Sequence, residues 1–276
     1  MSNLKEIRGR ISSVKSTLKI TSAMRLIASA KLHAAANAIE NLLPYERALS
    51  KLLSDLPADI ESQGHGGDQA VVLITSNQTL CGSFNAGIVK TFLARGFDRN
   101  GTIVYAAGKF GLKAARKEGY RTVDCCAMSA KPDYDASCAL AEKLVADYGS
   151  GKVGGVTVIY AHYASAASQP VQVAGYLPFE RGEGETHGKG EDDFIIEPDA
   201  RSVREELLPK VLRIRLHSIF LDAAAAEHAA RTLAMQIASD NAEELLRELS
   251  LQYNKLRQQE ITNQILDLAA GSVEQS

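Results

Sequence analysis

At 276 residues, 45% hydrophobic and 23% charged, the chain has an ordinary soluble composition and exceeds one average domain, so two structural units are expected. A formal charge of −2 argues against binding nucleic acid or any other bulk polyanion. No apolar run approaches the roughly eighteen residues needed to cross a bilayer, so any link to a membrane is expected to be indirect.

Met1-Ser2-Asn3 leads straight into a charged amphipathic pattern, with neither the apolar core of a secretory signal nor an Arg/Ser-rich transit segment, which predicts a cytosolic chain. From Leu4 the apolar positions run Ile7, Ile11, Val14, Leu18, Thr21, Arg25, Ala28, Leu32, Ala35, Ile39 and Leu42, steps of four and three that predict one strand of a coiled coil. Pro44 is carried as a kink, the pattern resumes through Leu49, Leu52, Leu53 and Leu56, and Pro57 closes it. Thr21 and Arg25 interrupt the seam. They mark either a polar layer or a place where the helix turns its face to another molecule, and the sequence leaves both open.

A polar, Gly-rich linker follows over residues 61–68. The β-branched run Ala70-Val71-Val72-Leu73-Ile74 then reads as a strand buried on both faces, which requires helices to cover it. Phe84–Arg95, Lys109–Glu118 and Ala136–Tyr148 supply helices, while Thr102–Ala106, Val156–Tyr160 and Gln172–Leu177 supply strands, with a weaker strand near Val123. Residues 181–193 look like a surface loop, and Phe194-Ile195-Ile196 looks strand-like.

Lys210–Ala270 contains no Gly or Pro and is filled with strong helix formers, so it predicts a single helix of roughly 90 Å, too long to be packed inside its own domain. Its seam runs Leu216, Ile219, Ala223, Ala226, Ala230, Leu233 and Ile237, fails at Asp240 and resumes at Leu246, Leu249, Tyr253 and Leu256, giving way to Ile261, Ile265 and Leu268. The alanine-dense zones 28–38 and 223–230 let two helices approach closely and suggest an antiparallel pair with His33 opposite Ala226 and Ser2 opposite Arg257, leaving everything after Gln258 without an internal partner. The basic flank of the first helix, Lys5, Arg8, Arg10, Lys15, Lys19, Arg25 and Lys31, then meets Asp240, Glu243, Glu244 and Glu248. An acidic partner surface is the other reading of that flank. The fold class is therefore α/β: a long antiparallel coiled coil of the terminal helices with an inserted Rossmann-like, mostly parallel α/β domain. The parts are expected at 1–60, 61–200 and 201–276.

The sequence gives the α/β unit no evident chemistry. The loop Thr75–Gly87 has neither the G-x-G-x-x-G of a dinucleotide site nor the G-K-[ST] of a phosphate loop. Cys81 has no His nearby in sequence to activate it, and Cys81, Cys125, Cys126 and Cys138 lack CxxC or metal-type spacing, so buried reduced thiols are expected. His162, His217 and His228 read as structural or solvated. No catalytic residue, cofactor or metal is expected.

Lys19-Ile20-Thr21-Ser22-Ala23-Met24-Arg25-Leu26-Ile27-Ala28-Ser29-Ala30-Lys31-Leu32 closely resembles the first-helix motif of the gamma subunit of F-type ATP synthases. Residues 227–231, 238–242, 253–258 and 260–262 resemble that family's C-terminal signature. The resemblance spans the chain and implies the central-stalk rotor of a proton-translocating ATP synthase. The coiled coil would stand within a ring of alpha and beta subunits, coupled to a membrane c-ring and accompanied by an epsilon subunit, peripheral on the cytoplasmic face of a bacterial inner membrane. By position, Arg257, Gln258 and Thr262 match family residues at the catch loops of beta, and Met24 with Arg25 lies where the shaft meets the acidic lever of beta. Lys31 and Gln78 are carried as further partner contacts. Asn77-Gln78-Thr79 stand where the family usually has Asp, a basic residue and Gly, so a charged contact at that loop is not implied. Gln264 replaces a usual Glu, Ala269-Ala270 replaces a more β-branched ending, and the chloroplast insert with its paired cysteines is missing. A coiled-coil scaffold that does not turn and an α/β enzyme with a helical arm are the two other classes that the residues allow.

Overall fold

The computed structural model describes residues 2–56, 66–130, 132–179, 196, 197 and 199–273. The heptad spacing of the first segment yields one helix, α1 (Ser2–Asp55), which runs through Pro44. Between it and the C-terminal helix lie β1 (Asp68–Ile74), α2 (Phe84–Ala94), β2 (Thr102–Ala107), α3 (Lys109–Lys117), β3 (Arg121–Asp124), α4 (Cys126–Ala130), α5 (Tyr134–Gly149), β4 (Val153–Ala161) and β5 (Val171–Leu177). The chain then enters α6 (Ala200–Val273). The expected linker up to position 65, the loop 181–193 and residues 194 and 195 of the strand-like segment lie outside the described residues.

α6 starts at Ala200, one residue ahead of the part expected at 201–276 and ahead of the Gly- and Pro-free run from Lys210, and it carries Pro209 inside it. Its start is set by Asp199, whose carboxylate accepts from the Ser202 N–H at 2.9 Å and from the Ser202 hydroxyl at 2.8 Å. A cap of this kind satisfies first-turn donors that would otherwise lack partners, and burial of Val211, Leu212 and Leu216 beyond Pro209 offsets the cost of the proline.

The sheet order is β3-β2-β1-β4-β5. β1 pairs in parallel with β2 and β4, and β2 in parallel with β3, while β5 is antiparallel to β4. The β1 run alternates between two cores, as the two-residue period of a strand demands. Ala70, Val72 and Ile74 join Leu140, Leu144, Val156 and Val158, together with Leu212, Leu216 and Phe220 of α6. Val71 and Leu73 join Ile88, Phe92, Val104, Leu112 and Ile159 under α2 and α3. Each large side chain so buried contributes on the order of 1.5–3 kcal/mol, and two covered faces explain why the run is unbroken by polar residues. α6 supplies alanine to both cores, Ala223 to the first and Ala226 and Ala230 to the second. The alanine zone of this helix therefore lies against the sheet domain, which is a use the sequence did not predict.

By internal contacts the chain divides into two compact units, Met1–Ile27 with Thr232–Ser276, and Ala28–Arg231. In the first unit α1 and α6 meet at Thr21 and Ser239, whose buried hydroxyls are 2.8 Å apart. The register with His33 opposite Ala226 sets position 238 opposite Thr21, one residue from the observed partner. The seam of α6 is corrected here. Leu233 and Ile237 are 39% and 52% exposed, and the buried positions are Met235, Ser239, Ala242 and Leu249. The face of α6 used up to Ala230 serves the sheet, and a different face serves α1 beyond Thr232.

Thr21 thus forms a polar layer, and its energetics are testable. The Thr21 hydroxyl also donates to the Leu18 carbonyl at 3.1 Å, so Ser239→Ala leaves it bonded and is expected to cost under about 1 kcal/mol. Thr21→Val leaves the buried Ser239 hydroxyl without this partner and is expected to cost about 1–2 kcal/mol, whereas the double change is expected to be within about 0.5 kcal/mol of the parent. Urea unfolding of the four proteins measures the cycle. Additive losses would show that the two hydroxyls do not interact.

Candidate functional site

In open α/β sheets, ligands sit beyond the carboxyl ends of the strands where the strand order reverses, here between β1 and β4. Beside that point, the carboxyl ends of β1, β2 and β3 are filled by the chain's own side chains. Asn77 Oδ1 accepts from the Lys109 N–H at 3.0 Å, and Thr75 Oγ1 accepts from the Gly111 N–H at 2.9 Å, so N-terminal donors of α3 that could hold an anion are already used. Asn77 Nδ2 also donates to the Cys126 carbonyl at 2.6 Å, and Ser129 Oγ to the Thr75 carbonyl at 2.6 Å. Gly108, at φ +133°, would place a Cβ 2.1 Å from the Thr75 carbonyl oxygen, so the backbones are packed too closely for any side chain there. Asn77, a departure from the family pattern, acts here as an internal clamp.

Cys81 is buried, with Sγ 3.2 Å from Asn85 Nδ2 and 3.7 Å from Ser76 Oγ. Asn85 also accepts from the Ser76 N–H at 2.9 Å. This is a hydrogen-bonded turn with no base beside the thiol among the described partners. Burial pushes the Cys125 and Cys126 thiols above their ordinary range, the opposite of an activated nucleophile. Among the described residues no group of three His, Cys, Asp or Glu side chains is placed to hold a metal ion. No described helix is long and apolar enough to cross a membrane.

Among the described residues the most buried charges lie on α6. Arg231 donates from Nη2 to Glu227 Oε1 at 2.8 Å, both residues being less than 10% exposed, and Arg231 Nε is buried without a hydrogen-bond partner. Burial raises the Glu227 carboxyl above its ordinary range, against the opposing pull of Arg231 and Lys31. Burial also depresses the His228 ring, helped by the positive charges of Arg231 and Lys31, to about 4 from an ordinary 6.5. A depressed base means that the unfolded chain takes up a proton the folded chain refuses. Stability is therefore lost as pH falls from about 6.5 to about 4, by about 2 kcal/mol after allowing for solvent screening. Glu227 acts with the opposite sign, its contribution falling as pH rises through its raised value. His228→Gln is expected to flatten the acid side of the profile, read as urea midpoints near about pH 7.5 and about pH 5. A parent-like slope in the variant would place the titration elsewhere. The sequence signal for this cluster was a Glu and an Arg four apart inside an alanine-rich stretch.

His162 and His217 have structural partners. His162 Nδ1 lies 2.7 Å from Asp222 Oδ2, while Asp222 Oδ1 accepts from the Tyr163 N–H at 2.9 Å. His217 lies 3.2 Å from Ser137 Oγ and edge-on to Tyr134.

The residues carried over by resemblance fall in both units. In the first, Met24 and Arg25 are half-buried on α1, and an N–H of Arg25 is hydrogen-bonded to Gln236 Oε1. Near them Ile20, Leu26 and Ile27 are exposed. Arg257, Gln258 and Thr262 are exposed on α6, and the Thr262 hydroxyl donates to the Gln258 carbonyl at 2.9 Å. Ile261, Ile265 and Leu266 beside them are exposed aliphatics, the last two at 60%. In the second unit, Lys31 is exposed on α1 close enough to Glu227 and His228 to act on their charges. Gln78 is exposed, and its carbonyl accepts from Ser76 Oγ at 2.7 Å.

A family model described as ATP synthase matches residues 3–273. The chain is 42% identical to the ATP synthase gamma chain of Phocaeicola vulgatus, over 99% of this chain and 100% of that one. It is 43% identical to the ATP synthase gamma chain of Bacteroides fragilis, with the same coverage. Among solved structures it resembles a chain of the Euglena gracilis mitochondrial ATP synthase (OSCP/F1/c-ring, rotational state 3), at a TM-score of 0.69 and 18% identity, covering 99% of this chain and 94% of that one. At that identity the likeness concerns the fold.

Proposed function

The chain belongs to the ATP synthase gamma chain family, a non-catalytic subunit of that complex, and from this we propose that it is the central-stalk rotor of a proton-translocating F-type ATP synthase. Alpha and beta subunits form the catalytic head around its terminal helices, an epsilon subunit and the membrane c-ring bind it below, and it works as a peripheral protein on the cytoplasmic face of a bacterial membrane. Its functional parts follow the division 1–60, 61–200 and 201–276: two shaft helices and an α/β mount. Met24, Arg25 and Lys31 on α1, Gln78 in the first loop, and Arg257, Gln258 and Thr262 on α6 carry the contacts to the head.

The observation that supports this most directly is the surface of α6 between Arg257 and Leu266. A helix that presents Ile261, Ile265 and Leu266 to solvent beside Arg257 and Gln258 has the mixed surface of an element held by another protein. Physically, a shaft without threefold symmetry touches three equivalent catalytic subunits differently. It biases each toward a different conformation, and rotation exchanges those biases. The filled strand edge at Asn77 and Thr75 fits a mount that holds no nucleotide of its own.

Co-purification of the tagged chain from membranes tests the reading, with ATPase activity assayed on the chain alone and on what accompanies it. An inactive lone chain and an active co-purified alpha–beta assembly are expected. Activity in the lone chain, or no such assembly, would overturn the proposal.

A further inference from the structure

Arg25 of α1 does not stand alone. Its Nη1 donates to the side-chain oxygen of Gln236 on α6, and the amide nitrogen of Gln236 donates in turn to Asp240 Oδ1 at 2.7 Å. One turn away along α1, Thr21 is bonded to Ser239, so the residues that interrupt the apolar seam of α1 each have a polar partner on α6. The Gln236 amide has one oxygen and one nitrogen, and both are used. Accepting from Arg25 leaves the nitrogen to donate, and the Asp240 carboxylate, an acceptor only, takes it. The three side chains form a directed chain from the guanidinium across to a carboxylate one helical turn further along α6. Gln236 is half-buried and Asp240 exposed, so neither is fixed by a hydrophobic core.

An arginine on a helix surface samples many rotamers, and ordering it on contact with a partner costs binding free energy. One committed N–H orients the planar fork and leaves its other donors for an incoming carboxylate. A glutamine does this without cancelling the positive charge, which an aspartate or glutamate at position 236 would do. Asp240, at one remove, holds the amide in the orientation that accepts.

We propose that Gln236 and Asp240 are positioning residues that pre-orient the Arg25 guanidinium toward an acidic surface of the head. The inference rests on the reading of Arg25 as a head contact, and the experiment separates the two. The assembled complex carrying Arg25→Ala, Gln236→Leu, Asp240→Asn or the double change Arg25→Ala/Gln236→Leu is placed in inverted membrane vesicles, and ATP-driven proton pumping is divided by ATPase rate.

Arg25→Ala is expected to lower that ratio about 5-fold and Gln236→Leu about 3-fold, with Asp240→Asn smaller and in the same direction. The double variant is expected to match Arg25→Ala alone, because a positioning residue has nothing left to position. The thermal midpoint of the complex is expected to be the same in all four. If Arg25→Ala lowers the ratio and Gln236→Leu does not, the relay is refuted while the Arg25 contact stands. If the losses from Gln236→Leu and Arg25→Ala multiply in the double variant, Gln236 acts independently and the inference is equally refuted. A parent-like ratio in Arg25→Ala would remove the contact itself, and the inference with it.

Discussion

Glu227→Ala is expected to destabilise the full chain by about 3–5 kcal/mol, a fall of roughly 10 °C in thermal midpoint, the largest effect of any single substitution considered for this chain. The reason is asymmetry. The carboxylate is itself costly to bury, as its raised pKa reports. Removing it, however, leaves the Arg231 guanidinium, 5% exposed and already lacking a partner at Nε, without its bond to Glu227 Oε1. A cation cannot shed its charge there as a carboxyl can, because arginine does not deprotonate in a protein. Glu227→Gln, which keeps an oxygen to accept from Nη2, is expected to cost about a third as much. The double change Glu227→Gln/Arg231→Met removes the buried cation and is expected to recover most of the loss, since a buried ion pair contributes little net stability against an apolar pair of similar size. Thermal and urea unfolding at neutral pH measure all three. Equal losses from Glu227→Ala and from Glu227→Ala/Arg231→Met would show that the alanine acts through a cavity instead of an orphaned charge.

Where one packing partner explains a pattern, the sequence was readable. The steps of α1 are the clearest instance, with Ile7 and Ala28 buried as their spacing requires. The β1 run was equally plain, because a strand covered on both faces admits no polar residue. Misreadings arose where an element changes partners. Leu233 and Ile237 continue the period of Leu216–Ala230 and yet face outward, because up to Ala230 α6 packs on the sheet and beyond Thr232 it packs on α1. A hydrophobic period reports that a face is apolar, not what covers it. An exposed Ile at that period is invisible as an exception until the partner is known.

The polar signals were weaker for a different reason. A hydrogen bond between Thr21 and Ser239 or between Asn77 and the α3 N-terminus joins residues far apart in sequence, and nothing in either neighbourhood encodes the other. Asn77 was singled out only as a departure from a pattern. Its clamp on Lys109 and Cys126 gives it a role inside the domain that no local spacing would suggest. The Asp199 cap is the opposite case: its bond to Ser202 is a local motif joining residues three apart.

Truncation after Arg257 is expected to leave the α/β domain folded and to lower the ratio of ATP-driven pumping to ATPase rate roughly tenfold or more in the assembled complex. Neither core cluster contains any residue beyond Ala230, so the unfolding midpoint of the Ala28–Arg231 unit is expected to be unchanged. What the truncation removes is Gln258 and Thr262 together with Ile261, Ile265 and Leu266, side chains that face solvent on the chain itself and therefore contribute little to its own stability. Their loss can be felt only through whatever covers them. Ile265→Ser with Leu266→Ser, which keeps the helix and changes only its surface, is expected to reproduce part of the loss. A non-turning scaffold would pass both changes without altering pumping per ATP hydrolysed, and that outcome, with assembly intact, would refute the rotor reading.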